Sequence, residues 1–369
     1  MNNIILDDPQ TSDSAFLRFI NDPSTTKKYV TKGAGGFGWE IENNDTTPYT
    51  SISPQGTLVE YTKLFLKIVP IGPFGSFPHG MYTTPKKDFT SERDTQTTLF
   101  KRTNVQLDPI CPPMVFSGIL SNERGRQLLN WLNPDSKDPP NISSFESKPN
   151  VEMGIIAMGY TTNYITMHEN GKKVSVNETM KSRYKYMAAY RLIQLYDMGY
   201  MHGDFSLQNI VIDTTHIYPS IEPVEGWNSS PGHVLLIDFG ATFKHNIQSD
   251  PAVSRVDKLN HMLDTKVPYL NEITPRSHAN YTWLETLIKT PNIEAILTNI
   301  EANVERYNKE MYEKIRRTSP EITSHIEKYN NSPSTMTTVR GGVRRTNRKR
   351  ASISRKKKRR KTRRTSKRR

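Results

Sequence analysis

Two carboxylates and one amide stand out because of where they fall between apolar runs. Asp204 and Asn209 lie in the polar stretch H-G-D-F-S-L-Q-N, residues 202–209, just before the apolar run 210–213. Asp238 ends a second apolar run, 234–238, and opens D-F-G. A helix, a polar turn, a strand hairpin and a second polar turn would bring Asp204, Asn209 and Asp238 together. Such a set suits Mg²⁺, which prefers oxygen and is held by one or two carboxylates together with substrate phosphates.

Periodicity marks the elements that must position these groups. Residues 179–197 carry Met180, Tyr184, Met187, Ala188, Leu192 and Leu195 at spacings of three and four, which predicts a helix closed by Gly199. Apolar runs predict strands over 57–69, 153–158, 210–213 and 234–238. Weaker helical patterns cover 89–101, 281–289 and 292–315. Pro, Asn, Ser and Asp mark loops over 43–56, 133–150 and 214–232. Strands come first, with one helix among them, and helices follow. That order predicts an α+β protein with a smaller, sheet-rich N-terminal part.

H-G-D-F-S-L-Q-N followed by D-F-G resembles the catalytic loop and metal-binding motif of the protein-kinase-like superfamily. The resemblance implies a bilobal fold, with an N-lobe over 1–158, a mostly helical C-lobe over 159–331 and a site for ATP and Mg²⁺ between them. It implies Asp204 as the base for the attacking hydroxyl, Asn209 and Asp238 as Mg²⁺ ligands, and His202 as a structural histidine. It also requires a glycine-rich loop, a strand lysine and a helix glutamate, in that order. G-A-G-G-F-G over 33–38 supplies Gly33, Gly35 and Gly38, whose backbone can approach phosphates, although Glu40 stands where valine is usual. Lys67, in L-F-L-K-I-V over 64–69, is the candidate for the α- and β-phosphates, with Lys63 as competitor. Glu92 is its candidate partner. Asp94 is the alternative, and a helix-dipole role in a first turn is the other reading of Glu92. Residues 153–160 look like the strand leading to an interlobe hinge, with Ile156 and Met158 as core.

Departures narrow the likeness. Gly203 replaces the usual arginine after the histidine, and Ser206 replaces the usual lysine two places after the aspartate. The H-G-D form resembles atypical kinases of the RIO and Bud types and is shared with aminoglycoside and choline phosphotransferases. No A-P-E follows Gly240, and Pro268, Tyr269, Leu270 and Trp283 read as core anchors of a helical region. The expected activity is transfer of the γ-phosphoryl group of ATP to a hydroxyl. A Ser/Thr side chain of a protein is the first acceptor and a small alcohol the second.

Composition bounds the rest. The chain has 369 residues, 24% charged and 34% hydrophobic, enough to bury a core. Its 17 Tyr, 13 Phe and 4 Trp exclude a wholly disordered chain. No apolar run reaches the roughly 20 residues that span a bilayer, so no membrane partner is expected. Residues 1–10 lack the basic and apolar regions of a secretory signal. The single cysteine, Cys111, has no partner for an internal disulfide, and a reducing compartment, cytoplasmic or nuclear, or association with a virion is expected. No signal for an oligomeric state is present.

The net charge of +14 belongs to one end. Residues 340–369 hold 18 of the 51 Lys+Arg and no Asp or Glu, which leaves 33 basic against 37 acidic residues elsewhere. From 332 onward the chain reads as a disordered Lys/Arg-rich tail. It suits non-specific nucleic-acid binding or nuclear import, without aromatic residues for base stacking. A scaffold that binds nucleotide in its core and works through this tail is the competing function. The kinase-like core, the Asn- and Thr-rich loops and the basic tail together resemble kinase-like proteins of large nucleocytoplasmic DNA viruses.

Overall fold

The computed structural model describes residues 14–324, apart from 34, 46–48, 53–57, 105, 133–141, 161–163, 173–177, 218–231, 246–251 and 268–273. The fold is mixed α+β. Strands β1 (Thr26–Gly33), β2 (Gly36–Glu42), β3 (Lys63–Ile71), β4 (Met114–Leu120) and β5 (Glu152–Gly159) form an antiparallel sheet in the order β1-β2-β3-β5-β4. Helices α1 (Ser14–Asn21), α2 (Lys86–Asn104) and α3 (Asn122–Leu132) accompany it.

Side-chain alternation gives this sheet two covered faces. Leu64, Leu66 and Ile68 of β3 join Phe37, Trp39 and Ile41 of β2 and Met153, Ile155 and Ala157 of β5 on one face. Helices α1 and α3 close it with Phe16, Phe19, Leu128 and Leu129. Phe16 stacks on Phe116 at 4.3 Å, and truncating such a buried ring costs about 3–5 kcal/mol. On the other face, Phe89 of α2 packs with Val69, Ile71, Ile156 and Met158. Lys67 belongs to this second face.

The C-terminal part holds a small sheet, β6 (Tyr164–Thr166), β7 (Ile210–Ile217) and β8 (Gly232–Leu236), in the order β6-β7-β8. Around it lie helices α4 (Glu178–Asp197), α5 (Arg255–Asp264), α6 (Thr282–Ile288) and α7 (Ile293–Thr318). A buried ion pair joins this part to the segment leading into β4. Arg191 of α4 is fully buried, with Nη1 2.6 Å from Asp108 Oδ1. Its Nε donates to the Val234 carbonyl, and Gln194 Nε2 donates to Asp108 Oδ2.

Several elements differ from expectation. The apolar run 57–69 divides. Leu58–Tyr61 pairs back on Tyr49–Ile52, inside a region read as loop, while β3 starts at Lys63 and runs through Pro70. Proline is tolerated there because β2 pairs with β3 only as far as Ile68, and the Pro70 carbonyl accepts from the Thr84 N–H instead. Strand β7 extends to Ile217, and a short helix, Ile142–Glu146, lies inside the expected loop 133–150. Strand β1 gave no apolar signal because it is an edge strand: Tyr29 and Val30 are exposed, and the other residues are lysine, threonine and glycine. Among the described residues no helix is long and apolar enough to cross a membrane. The basic residues 332–369 lie outside the described residues.

Candidate active site

Strand β3 fixes Lys67 between Gly38 of β2 and Ile156 of β5, while Leu66 and Ile68 anchor it from the opposite face. Its Nζ lies 2.7 Å from Glu92 Oε1 and 2.7 Å from Asp238 Oδ1. Helix α2 begins at Lys86, so Glu92 sits in its second turn, buried, and not at the exposed first turn a dipole role would need. The competitors are engaged elsewhere. Lys63 pairs with Glu40 and Glu42 at 3.4 and 3.5 Å, and Asp94 pairs with Arg93.

The charges set one another. Burial alone would push the Lys67 ammonium down, but Asp238 and then Glu92 outweigh it and hold it above the usual lysine range. Lys67 in turn holds the Asp238 carboxyl below its ordinary value. Burial raises Glu92 against the pull of Lys67. Lys67 is therefore a fixed cation, and the Asp238 side chain, 48% exposed, is a fixed anion open to a ligand.

A chain of hydrogen bonds places Asp204, Asn209 and Asp238 in one frame. Asn209 Nδ2 donates to the Asp204 carbonyl at 3.0 Å. The Ile237 N–H donates to the Asn209 carbonyl at 2.9 Å, and His202 Nε2 donates to the Ile237 carbonyl at 3.0 Å. Thr242 Oγ1 closes the frame on the His202 carbonyl at 3.1 Å. His202 is buried and its pKa is lowered, chiefly by that burial, which fits a neutral ring donating through Nε2.

Gly203 stands where the resemblance would put an arginine, and the backbone leaves no room for one. Its φ is +76°, and a Cβ there would lie 2.1 Å from the Ala241 carbonyl oxygen. The loop and the D-F-G turn approach too closely for any side chain at 203. Asp238 itself has a left-handed backbone, φ 62° and ψ 70°, unusual for a residue other than glycine and found where a site over-determines the conformation.

The glycine-rich stretch spans the β1–β2 hairpin. Gly33 pairs with Gly36, and Gly35 lies in the turn before Gly36; residue 34 lies outside the described residues. Gly35 is open, and no atom lies within 4 Å of where its Cβ would be. Gly38 sits within β2, beside Lys67, where a Cβ would meet the Phe65 ring at 2.4 Å. The β1–β2 register shifts between Tyr29 and Thr31, opposite Trp39 and Gly38.

The contact that sequence reasoning missed is Tyr281. Its hydroxyl donates to Asp204 Oδ1 at 2.9 Å, from 77 positions along the chain. The ring is buried and lies 4.6 Å from the Phe205 ring. Trp283, read as a core anchor, is buried and also donates from Nε1 to the Phe205 carbonyl at 3.1 Å. A Tyr and a Trp two places apart at a helix start are the only trace in the sequence. Pro268, Tyr269 and Leu270 lie outside the described residues.

The oxygen donors fit Mg²⁺ held jointly with phosphates. Asn209 commits its amide nitrogen to Asp204, which turns its amide oxygen into the available donor. Asp238 commits Oδ1 to Lys67, and its side chain is 48% exposed. Among the described residues no cluster of three His, Cys, Asp or Glu forms an all-protein metal cage. In comparisons with known proteins, no family model matches the chain, and no curated protein matches it.

Proposed function

We propose that this chain is an ATP- and Mg²⁺-dependent phosphotransferase with a bilobal kinase-like fold, whose N-lobe ends at β5. The observation that carries the reading is Lys67, bonded at 2.7 Å to both Glu92 and Asp238, residues 25 and 171 positions away. The sheet order β1-β2-β3-β5-β4, with α2 placed between β3 and β4 in the chain, supports it.

In this reading Lys67 neutralises the α- and β-phosphates of ATP, and Glu92 keeps its ammonium in place. The open tip at Gly35 brings backbone N–H groups near the phosphates. Asn209 Oδ1 and Asp238 would hold Mg²⁺, which when bound offsets the charge on the phosphates. Asp204 takes the proton of the acceptor hydroxyl as that oxygen bonds to the γ-phosphorus. The bond from γ-phosphorus to the β–γ bridging oxygen breaks, and its electron pair leaves on ADP.

A Ser/Thr side chain of a protein is the first acceptor. The second, a small alcohol, is favoured by one feature. Only residues 245–254 separate the strand Phe243–Lys244 from α5, a short span for a platform that docks a polypeptide. Calorimetric titration with Mg·ATP tests the nucleotide site. Wild type should bind, and Lys67→Met and Asp238→Asn should each weaken binding about tenfold or more. A folded wild type that does not bind would overturn the proposal.

A further inference from the structure

We infer that Tyr281 is the positioning residue for Asp204: its hydroxyl holds Oδ1 so that Oδ2 faces the acceptor hydroxyl. The inference rests on the phosphotransferase reading of the site. Asp204 needs such a partner because its terminal torsion is broad and is not fixed by rotamer preference alone. Its other hydrogen bond among the described residues, from the Ser206 N–H to the same Oδ1, is 3.4 Å long, at the weak limit of such bonds. The bond from Tyr281, at 2.9 Å, is the stronger constraint. Both bonds use Oδ1, which leaves the second oxygen for proton transfer.

Tyr281 is well placed to act as a fixed point. It is 1% exposed, and its ring lies 4.6 Å from Phe205 and 5.4 Å from His278. It immediately precedes α6, whose Trp283 grips the Phe205 carbonyl next to Asp204. The same short element thus holds the catalytic loop by its backbone and the base by its side chain. No cation follows Asp204 at position 206, where serine stands, so a neutral hydroxyl does the orienting. A phenol that donates to the base also resembles an acceptor caught in place. The burial of Tyr281, 1% exposed, argues against that.

Tyr281→Phe in the full chain tests the assignment, because it removes one hydroxyl and keeps the ring. The probe is Mg·ATP with water as acceptor, read as ADP formation, with Asp204→Asn as baseline. The expected result is a fall in kcat of about 10- to 100-fold, with KM for ATP changed by less than about twofold. Crystal structures of wild type and variant should show the Asp204 carboxylate rotated once the hydroxyl is gone. An unchanged or increased kcat would overturn the inference, an increase marking Tyr281 as a plug. An unfolded variant would assign the hydroxyl to stability and also overturn it. If wild type hydrolyses no more ATP than Asp204→Asn, water is not its acceptor, and the phosphotransferase reading is decided by the Mg·ATP titration. The Asp204 rotamer then still decides the contact, and an unmoved carboxylate would overturn it.

Discussion

Around Lys67 the site is held by full charges, and around Asp204 by neutral hydrogen bonds. Lys67 joins two carboxylates contributed by α2 and the D-F-G turn, and each contact is 2.7 Å. Asp204 has a tyrosine hydroxyl, a weak backbone N–H and a loop pinned by an indole N–H. The difference matches the tasks that the proposed function gives the two groups. A group that meets polyphosphate must remain a cation, and opposed carboxylates secure that. A base must give and take a proton, and a neutral donor steers it without the strong pull of a nearby cation.

The largest effect should come from breaking the charged end. Lys67→Met should lower phosphoryl transfer at least about 100-fold, by losing the cation that stabilises phosphate charge. It should also lower thermal stability by about 2–4 kcal/mol, since Glu92 is left buried without its partner. Calorimetry and single-turnover assays on the same preparation would read both.

Next comes the tie between the two parts of the chain. Arg191→Ala leaves the Asp108 carboxylate, 3% exposed, without its cation and should cost about 3–5 kcal/mol in urea unfolding. Stability should collapse while neither end of the site is touched directly. A loss under 1 kcal/mol would show that this pair is not the join it resembles.

A smaller change tests the close approach at the neutral end. Gly203→Ala places a Cβ against the Ala241 carbonyl at a positive φ, so it should cost at least about 1–2 kcal/mol for backbone conformation alone. Trp283→Phe removes one buried hydrogen-bond donor and should cost about 1 kcal/mol, with a few-fold loss of kcat. Equal losses of kcat and ATP affinity in Trp283→Phe would blur the contrast between the two ends.

The smallest effect is in pH. The His202 pKa is lowered in the folded protein, mainly by burial. The unfolded chain therefore takes up a proton first, near the ordinary value of about 6.5. Stability from this group is complete above that pH and is lost as pH falls through it toward the folded value. Urea midpoints measured between pH 8 and 5 should decline, and His202→Gln should flatten the decline.

Legibility in the sequence follows the same divide. Lys67, Glu92, Asp204, Asn209 and Asp238 sit in short runs with distinctive flanks, and the helix containing 179–197 has an unmistakable period. The two main strands of the sheet, β3 and β5, were visible because they are apolar. Strands β1, β2 and β4 were not: β1 is an edge strand rich in lysine with no apolar pattern, and glycines interrupt the short runs of β2 and β4. Tyr281 was illegible for another reason. Its role depends on a contact made 77 positions away, and nothing in its neighbours distinguishes a tyrosine that packs from one that also orients a carboxylate. The departure at Gly203 became intelligible only once the approach of Ala241 was known.

The most direct test is transfer of label from γ-labelled ATP, with Mg²⁺ and mixed basic proteins, by wild type and by Asp204→Asn. ATP binding is measured on both. The account predicts label in protein, or in an added small alcohol, with wild type only, and equal ATP binding by the two. Equal transfer by wild type and Asp204→Asn, or ATP bound and never turned over by either, would contradict it.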